Sequence, residues 1–150
     1  MALNPNQIPI YAITPRTAVG ILNAATAGSL GSNTNSVSVI TASASGTRVT
    51  SMVFSTDDTT AVNVFVFILD ADGVTVKPIG MVTVAINAGN TAATSNVDGL
   101  DSLEVPGMAI DSSGKRYFDL QPNDVLKISC LANMTAAKKL HCTVFAADYE

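Results

Sequence analysis

The stretch Val62-Asn63-Val64-Phe65-Val66-Phe67-Ile68-Leu69, followed by Asp70-Ala71-Asp72-Gly73-Val74-Thr75-Val76, decides the fold class. β-Branched and aromatic side chains suit a pleated strand and lose rotamer freedom in a helix. Alternation places Val62, Val64, Val66 and Ile68 on one face and Phe65, Phe67 and Leu69 on the other. Both faces are apolar, so a plain two-layer sandwich would leave one of them wet. A loop, the N-terminal segment or another subunit must cover it. At the end of the run, Asp72-Gly73 predicts a tight type I′ hairpin turn, because both central residues of that turn need positive φ.

Outward from this hairpin the same signals repeat. Strands are expected at residues 8–14, 18–22, 37–41, 47–55, 75–77, 79–86, 116–120, 124–132 and 139–147, besides 62–69. Turn clusters such as Ser55-Thr56-Asp57-Asp58, Asn87-Ala88-Gly89-Asn90 and Gln121-Pro122-Asn123 separate them. Helical periodicity is nearly missing, and residues 133–137 could form one helical turn at most. The expected fold is all-β, a single β-sandwich, jelly-roll-like, over residues 36–150. Residues 1–35 are expected to form an extended N-terminal arm and linker with strand-like pieces.

A second hairpin is expected between 124–132 and 139–147. Symmetry about Ala136 would set Cys130 opposite Cys142, Ile128 opposite Val144 and Leu126 opposite Ala146, all facing inward. Lys127, Ser129, His141 and Thr143 would then face solvent. The two cysteines would be packed thiols or a cross-strand disulfide; manufacture in a cytoplasm favours thiols.

The 150 residues suit one domain. Charged side chains make up 13%, about half the usual share. Eight basic against twelve acidic residues leave a net charge of −4, which argues against binding nucleic acid through phosphate attraction. The longest apolar run, Val64 to Leu69, is far short of the roughly 18 residues of a membrane-crossing helix. The opening Met1-Ala2-Leu3-Asn4-Pro5-Asn6 has no basic start before an apolar stretch, so no secretory leader is expected.

Charge is also unevenly placed. Arg16 is the single charged side chain among the first 47 residues, and the first acid is Asp57. The Ile/Tyr alternation of Ile8, Ile10, Tyr11 and Ile13 would be wasted in a disordered tail, so these four residues are the expected partner contacts. Acids crowd residues 98–124, and Asp98, Asp101 and Glu104 are expected to point outward.

Candidate chemistry is thin. Asp70-Ala71-Asp72-Gly73 resembles the opening of a calcium loop, yet Val74-Thr75-Val76-Lys77 supplies no closing Glu. Asp98, Asp101 and Glu104 could pair as catalytic carboxylates, but the chain has no Trp to serve as a sugar platform. His141 and Cys142 are neighbours on a strand and point to opposite faces, which defeats a nucleophile–base pair. One His and two Cys exclude Cys₄ and Cys₂His₂ zinc sites, and no phosphate loop or hydrolase elbow occurs. No catalytic residue, metal or cofactor is expected.

The segment Leu103-Glu104-Val105-Pro106-Gly107-Met108-Ala109-Ile110-Asp111-Ser112-Ser113-Gly114-Lys115-Arg116-Tyr117-Phe118-Asp119-Leu120 carries a family resemblance. Together with Asp124-Val125-Leu126-Lys127 and Thr135-Ala136-Ala137-Lys138-Lys139-Leu140, it resembles small structural proteins of tailed bacteriophages, of head or decoration type. The likeness covers the C-terminal two-thirds. The chain departs from that pattern at Cys130, at Cys142 and in its Ala146-Ala147-Asp148-Tyr149-Glu150 ending. The resemblance implies a virion protein assembled in the host cytoplasm, most simply a capsid decoration or auxiliary head protein. Its partners would be the major capsid protein, or another virion protein, and copies of itself, with a trimer expected. No nucleic acid or membrane partner is implied. The alternatives are a neck, tail or fibre-base component and, from another class, a glycan-binding module using Tyr11, Tyr117 and Tyr149.

Overall fold

Strand-forming alternation runs through nearly the whole computed structural model, which describes residues 12–23, 35–103, 105, 108–132 and 134–149. The larger sheet contains β1 (Ala12–Asn23), β3 (Thr47–Thr56), β8 (Arg116–Leu120) and β10 (Lys139–Tyr149), in the order β1-β10-β3-β8. Two short strands join it: β6 (Val97–Asp98) pairs with β3, and β7 (Ala109–Ile110) pairs with β8. The smaller sheet contains β2 (Val37–Thr41), β4 (Val62–Leu69), β5 (Val76–Val84) and β9 (Val125–Cys130), in the order β2-β9-β4-β5. A four-residue helix, α1 (Gly99–Ser102), follows β6.

The pairings are antiparallel and nested: β1 with β10, β2 with β9, β3 with β8, β4 with β5. A long hairpin rolled upon itself has this topology, and the fold is a jelly roll. Period-two alternation delivers Leu22, Met52, Phe54, Leu140, Cys142 and Val144 from the larger sheet into the core. Val64, Val66, Val82, Leu126, Ile128 and Cys130 meet them from the smaller one. Burying each large aliphatic or aromatic side chain contributes about 2 kcal/mol relative to leaving it in water.

Both faces of β4 are indeed covered. Phe67 is fully buried and Phe65 nearly so, on the face opposite Val64 and Val66, within a single copy of the chain. Their ladder neighbours Lys127 and Ser129 are buried too, which corrects the expectation that these two face solvent. They stand opposite Phe67 and Phe65 on a face closed to water, and burial pushes the Lys127 ammonium pKa down.

Three further expectations change. First, the expected arm contains a strand of the roll: β1 pairs with β10 from Ala12 to Asn23, through Ala12↔Tyr149 and Leu22↔Leu140. Its sole charge, Arg16, lies 3.1 Å from Asp148 and donates to the Thr41 carbonyl at 3.1 Å. Second, β9 and β10 form no hairpin. Cys130 pairs across the ladder with Val64, while Cys142 stands between Gly20 and Phe54 in the other sheet. Nested pairing requires the chain to cross between sheets after β9 instead of turning back. Third, the β4–β5 hairpin is present, but Asp72-Gly73 does not form a type I′ turn. Positive φ occurs at Gly73 (+73°) and not at Asp72. The loop spans residues 70–75, closed by Asp70 N–H donating to the Thr75 carbonyl at 2.9 Å, and β5 runs through Pro78 with a register shift, as one strand rather than two.

Two of the crossings between sheets, β3 to β4 and β9 to β10, are tied together by Asp58. Its buried carboxylate accepts from the Thr60 N–H (3.0 Å) and hydroxyl (3.0 Å), and from the Thr135 N–H (2.9 Å) and hydroxyl (2.6 Å). Asp57 reinforces the tie by accepting from the Lys139 N–H at 2.6 Å. Burial alone would raise the Asp58 pKa, but the Thr135 and Thr60 donors outweigh it and hold the group at about 2, below its ordinary 3.8. The folded-state pKa is depressed, so this stabilisation is complete above pH 3.8 and is lost as pH falls through about 2. Asp58→Ala should cost about 2–3 kcal/mol in urea unfolding at pH 7. The same variant should lose less stability than the parent between pH 4 and pH 2.

Candidate functional site

The outer face of the larger sheet collects the residues most able to meet a partner. Outward positions on β1 are Thr17, Val19 and Ile21, and the register sets them beside Phe145, Thr143 and His141 of β10. These in turn stand beside Ser51, Val53 and Ser55 of β3. Val19 is 51% exposed, Ile21 42% and Phe145 46%. Inward positions on β1 are Ala18, Gly20 and Leu22; a Cβ on Gly20 would come within 2.8 Å of a Val39 methyl. The close approach of β2 thus leaves no room for a side chain at Gly20, between the outward Val19 and Ile21.

At the β8 side of the same face, Arg48 forms a polar stack. Its guanidinium carbon lies 4.1 Å from the Tyr117 ring centroid and 5.6 Å from that of Tyr149. It donates to both oxygens of Asp119, at 2.9 and 3.2 Å, and the Tyr149 hydroxyl donates to Asp119 at 2.6 Å. Burial pushes the Tyr149 phenol up to about 12, with help from the carboxylate it faces. Burial also works to raise the Asp119 pKa, but Arg48 and Tyr149 overcome it and hold the carboxyl below its ordinary range. The arrangement is self-satisfied: each charge meets an opposite charge within the cluster.

Behind Tyr117 and Asp119 lies a cleft of about 330 Å³ between the sheets, lined by Ile68, Ile79, Val105, Met108, Ala109 and Phe118 as well. Its described walls are largely apolar, and among the described lining residues Asp119 is the one carboxylate. A smaller polar cleft of about 220 Å³ is lined by Ser55, Thr56, Asp57, Gly89, Asn90, Lys139 and His141.

The suspected acids are occupied by local structure. Asp98 caps α1, accepting from Leu100 N–H at 3.0 Å and Asp101 N–H at 3.2 Å. Asp101 is exposed, 4.0 Å from Arg116, and Glu104 lies outside the described residues. Asp72 accepts from Val74 N–H and Thr75 N–H, both at 2.8 Å, and from the Thr75 hydroxyl, while Asp70 pairs with Lys77 at 2.6 Å. These carboxylates shape a turn, and no group of three or more His, Cys, Asp or Glu among the described residues could hold a metal. Of the expected partner contacts, Ile8, Ile10 and Tyr11 lie outside the described residues; Ile13 falls in β1, where the register shifts between Ala12 and Thr14. Sequence reasoning missed the Val19–Ile21–Phe145 patch, although the contrast of Ala18 and Gly20 with Val19 and Ile21 carries it.

Comparison with protein-family models and with curated proteins gives no match. Among solved structures, the chain is similar to one from the Cyanophage Pam1 capsid asymmetric unit, at 15% identity and a TM-score of 0.42, with 98% of each chain covered.

Cys130 and Cys142 are buried thiols rather than a disulfide, and burial pushes the Cys142 thiol up to about 12. A group held protonated and dry is a poor nucleophile. Iodoacetamide at pH 8 should modify neither cysteine in the native protein and both in concentrated urea, as read by intact-mass spectrometry.

Proposed function

We propose that the protein is a structural component of a tailed-phage virion, of decoration or auxiliary head type, that acts by surface packing and not by catalysis. The observation that carries this reading is the outer face of the larger sheet. There a rigid jelly roll, a fold shared by many viral capsid domains, presents Val19, Ile21 and Phe145 to solvent beside almost no charge. The resemblance of residues 103–140 to phage head proteins points the same way. Occupation of Asp72 and Asp98 by turn and helix capping, and the opposed directions of His141 and Cys142, support a non-enzymatic role.

Each copy would bridge adjacent major-capsid subunits. Apolar area removed from water contributes about 25 cal/mol per Å², so a few hundred Å² per copy becomes substantial when repeated over a lattice. The ordering of side chains at the contact offsets part of that gain.

A second reading has one observation in its favour. Tyr117 and Tyr149 come together, as a glycan platform would require, but each turns toward the Arg48 guanidinium. A glycan array with no hits removes it. The main reading is tested on purified particles of the encoding phage by quantitative mass spectrometry and electron microscopy. Hundreds of copies on the outer head surface are expected. A dozen or fewer would move the protein to the neck or tail, and absence from the particle would overturn the reading.

A further inference from the structure

Sheet edges expose unpaired N–H and C=O groups, and soluble proteins blunt them with shortness, Lys, Pro or bulges. Among the described residues, the edge strands other than β1 carry such devices, and β6 is only two residues long. β7 has two residues, β2 has five with a register shift between Ser38 and Ile40, and β5 carries Lys77, Pro78 and a register shift opposite Val66 and Phe67. β1 differs. It is 12 residues long, its shift and its Pro15 lie at one end, and from Arg16 to Leu22 it carries none of these features. Among the described residues, β10 is the strand that pairs with β1, and no strand lies on its other side.

We infer that β1 is a self-association edge: two copies pair β1 to β1 in antiparallel fashion across a twofold axis, giving one sheet that runs from β7 of one copy to β7 of the other. The occupant follows from charge and symmetry. A strand that meets its own copy sets like charges together wherever it carries any, and this chain bears a net −4. Between Arg16 and Leu22 there is no acid, and Arg16 is neutralised within its own copy by Asp148. An antiparallel pair is also isologous, so every contact is made twice. Val19 and Ile21 of the two copies would lie side by side, extending the apolar stripe that Phe145 begins. A twofold dimer takes the place of the trimer expected from the sequence. The inference does not rest on the virion reading, since a protein outside any particle could dimerise in this way.

The test is sedimentation equilibrium of the full chain at tens of micromolar, with circular dichroism to confirm folding. The parent should be a dimer. Val19→Lys with Ile21→Lys, both at exposed positions, should weaken it by about tenfold or more through like-charge repulsion across the axis, and Val19→Lys alone should do so to a smaller extent. Phe145→Lys, on the same face but one strand in from the edge, should change the dissociation constant less than about twofold. A monomeric parent, a trimer indifferent to the Lys pair, or a loss with Phe145→Lys equal to that with the Lys pair would each overturn the inference. The last result would mean that the sheet faces pack and the edges do not pair.

Discussion

The carboxylate of Asp58 sits where the chain leaves one sheet for the other, and it gathers four donors from Thr60 and Thr135. One of these residues follows β3 and the other precedes β10. They tie the entry into β4 of the smaller sheet to the entry into β10 of the larger one, where β10 lies between β1 and β3. Had β10 turned back on β9, β1 would have lost its ladder partner and the core would have lost Leu140, Cys142 and Val144 from its larger-sheet wall. Charge-assisted hydrogen bonds in a water-poor site are among the stronger local ties available to a chain with so few ionised groups.

From that crossing follows the character of the surface. The larger sheet turns Leu22, Met52, Phe54 and Val144 inward and leaves a face whose polar half is the Arg48–Asp119–Tyr149 stack. The stack satisfies its own charges, so it offers rigidity more than chemistry. The other half, around Val19, Ile21 and Phe145, has no such internal answer. A dry contact would remove that apolar area from water.

Much of this was legible without coordinates. The alternation of 62–69, the Val/Thr/Ser/Ala composition and the spacing of turn residues establish an all-β sandwich, because side-chain periodicity is a local property of the strand. The same alternation marked β4 as apolar on both faces, and Phe65 and Phe67 are buried accordingly. That His141 and Cys142 cannot cooperate, and that Asp72 serves a turn, could likewise be read from spacing alone.

Pairing partners could not be read in that way. Nothing local in residues 131–138 distinguishes a connection that reverses into a hairpin from one that crosses a sandwich, so hairpin symmetry pairs Cys130 with Cys142 although they belong to different sheets. The burial of Lys127 follows from Phe67 beside it, a neighbour 60 positions earlier in the chain. The place of β1 in the roll depends on β10, at the far end of the sequence. What each strand buries is written in its own alternation; which strand lies beside it, and therefore which edge stays open, is a contest among distant segments that only the folded chain resolves.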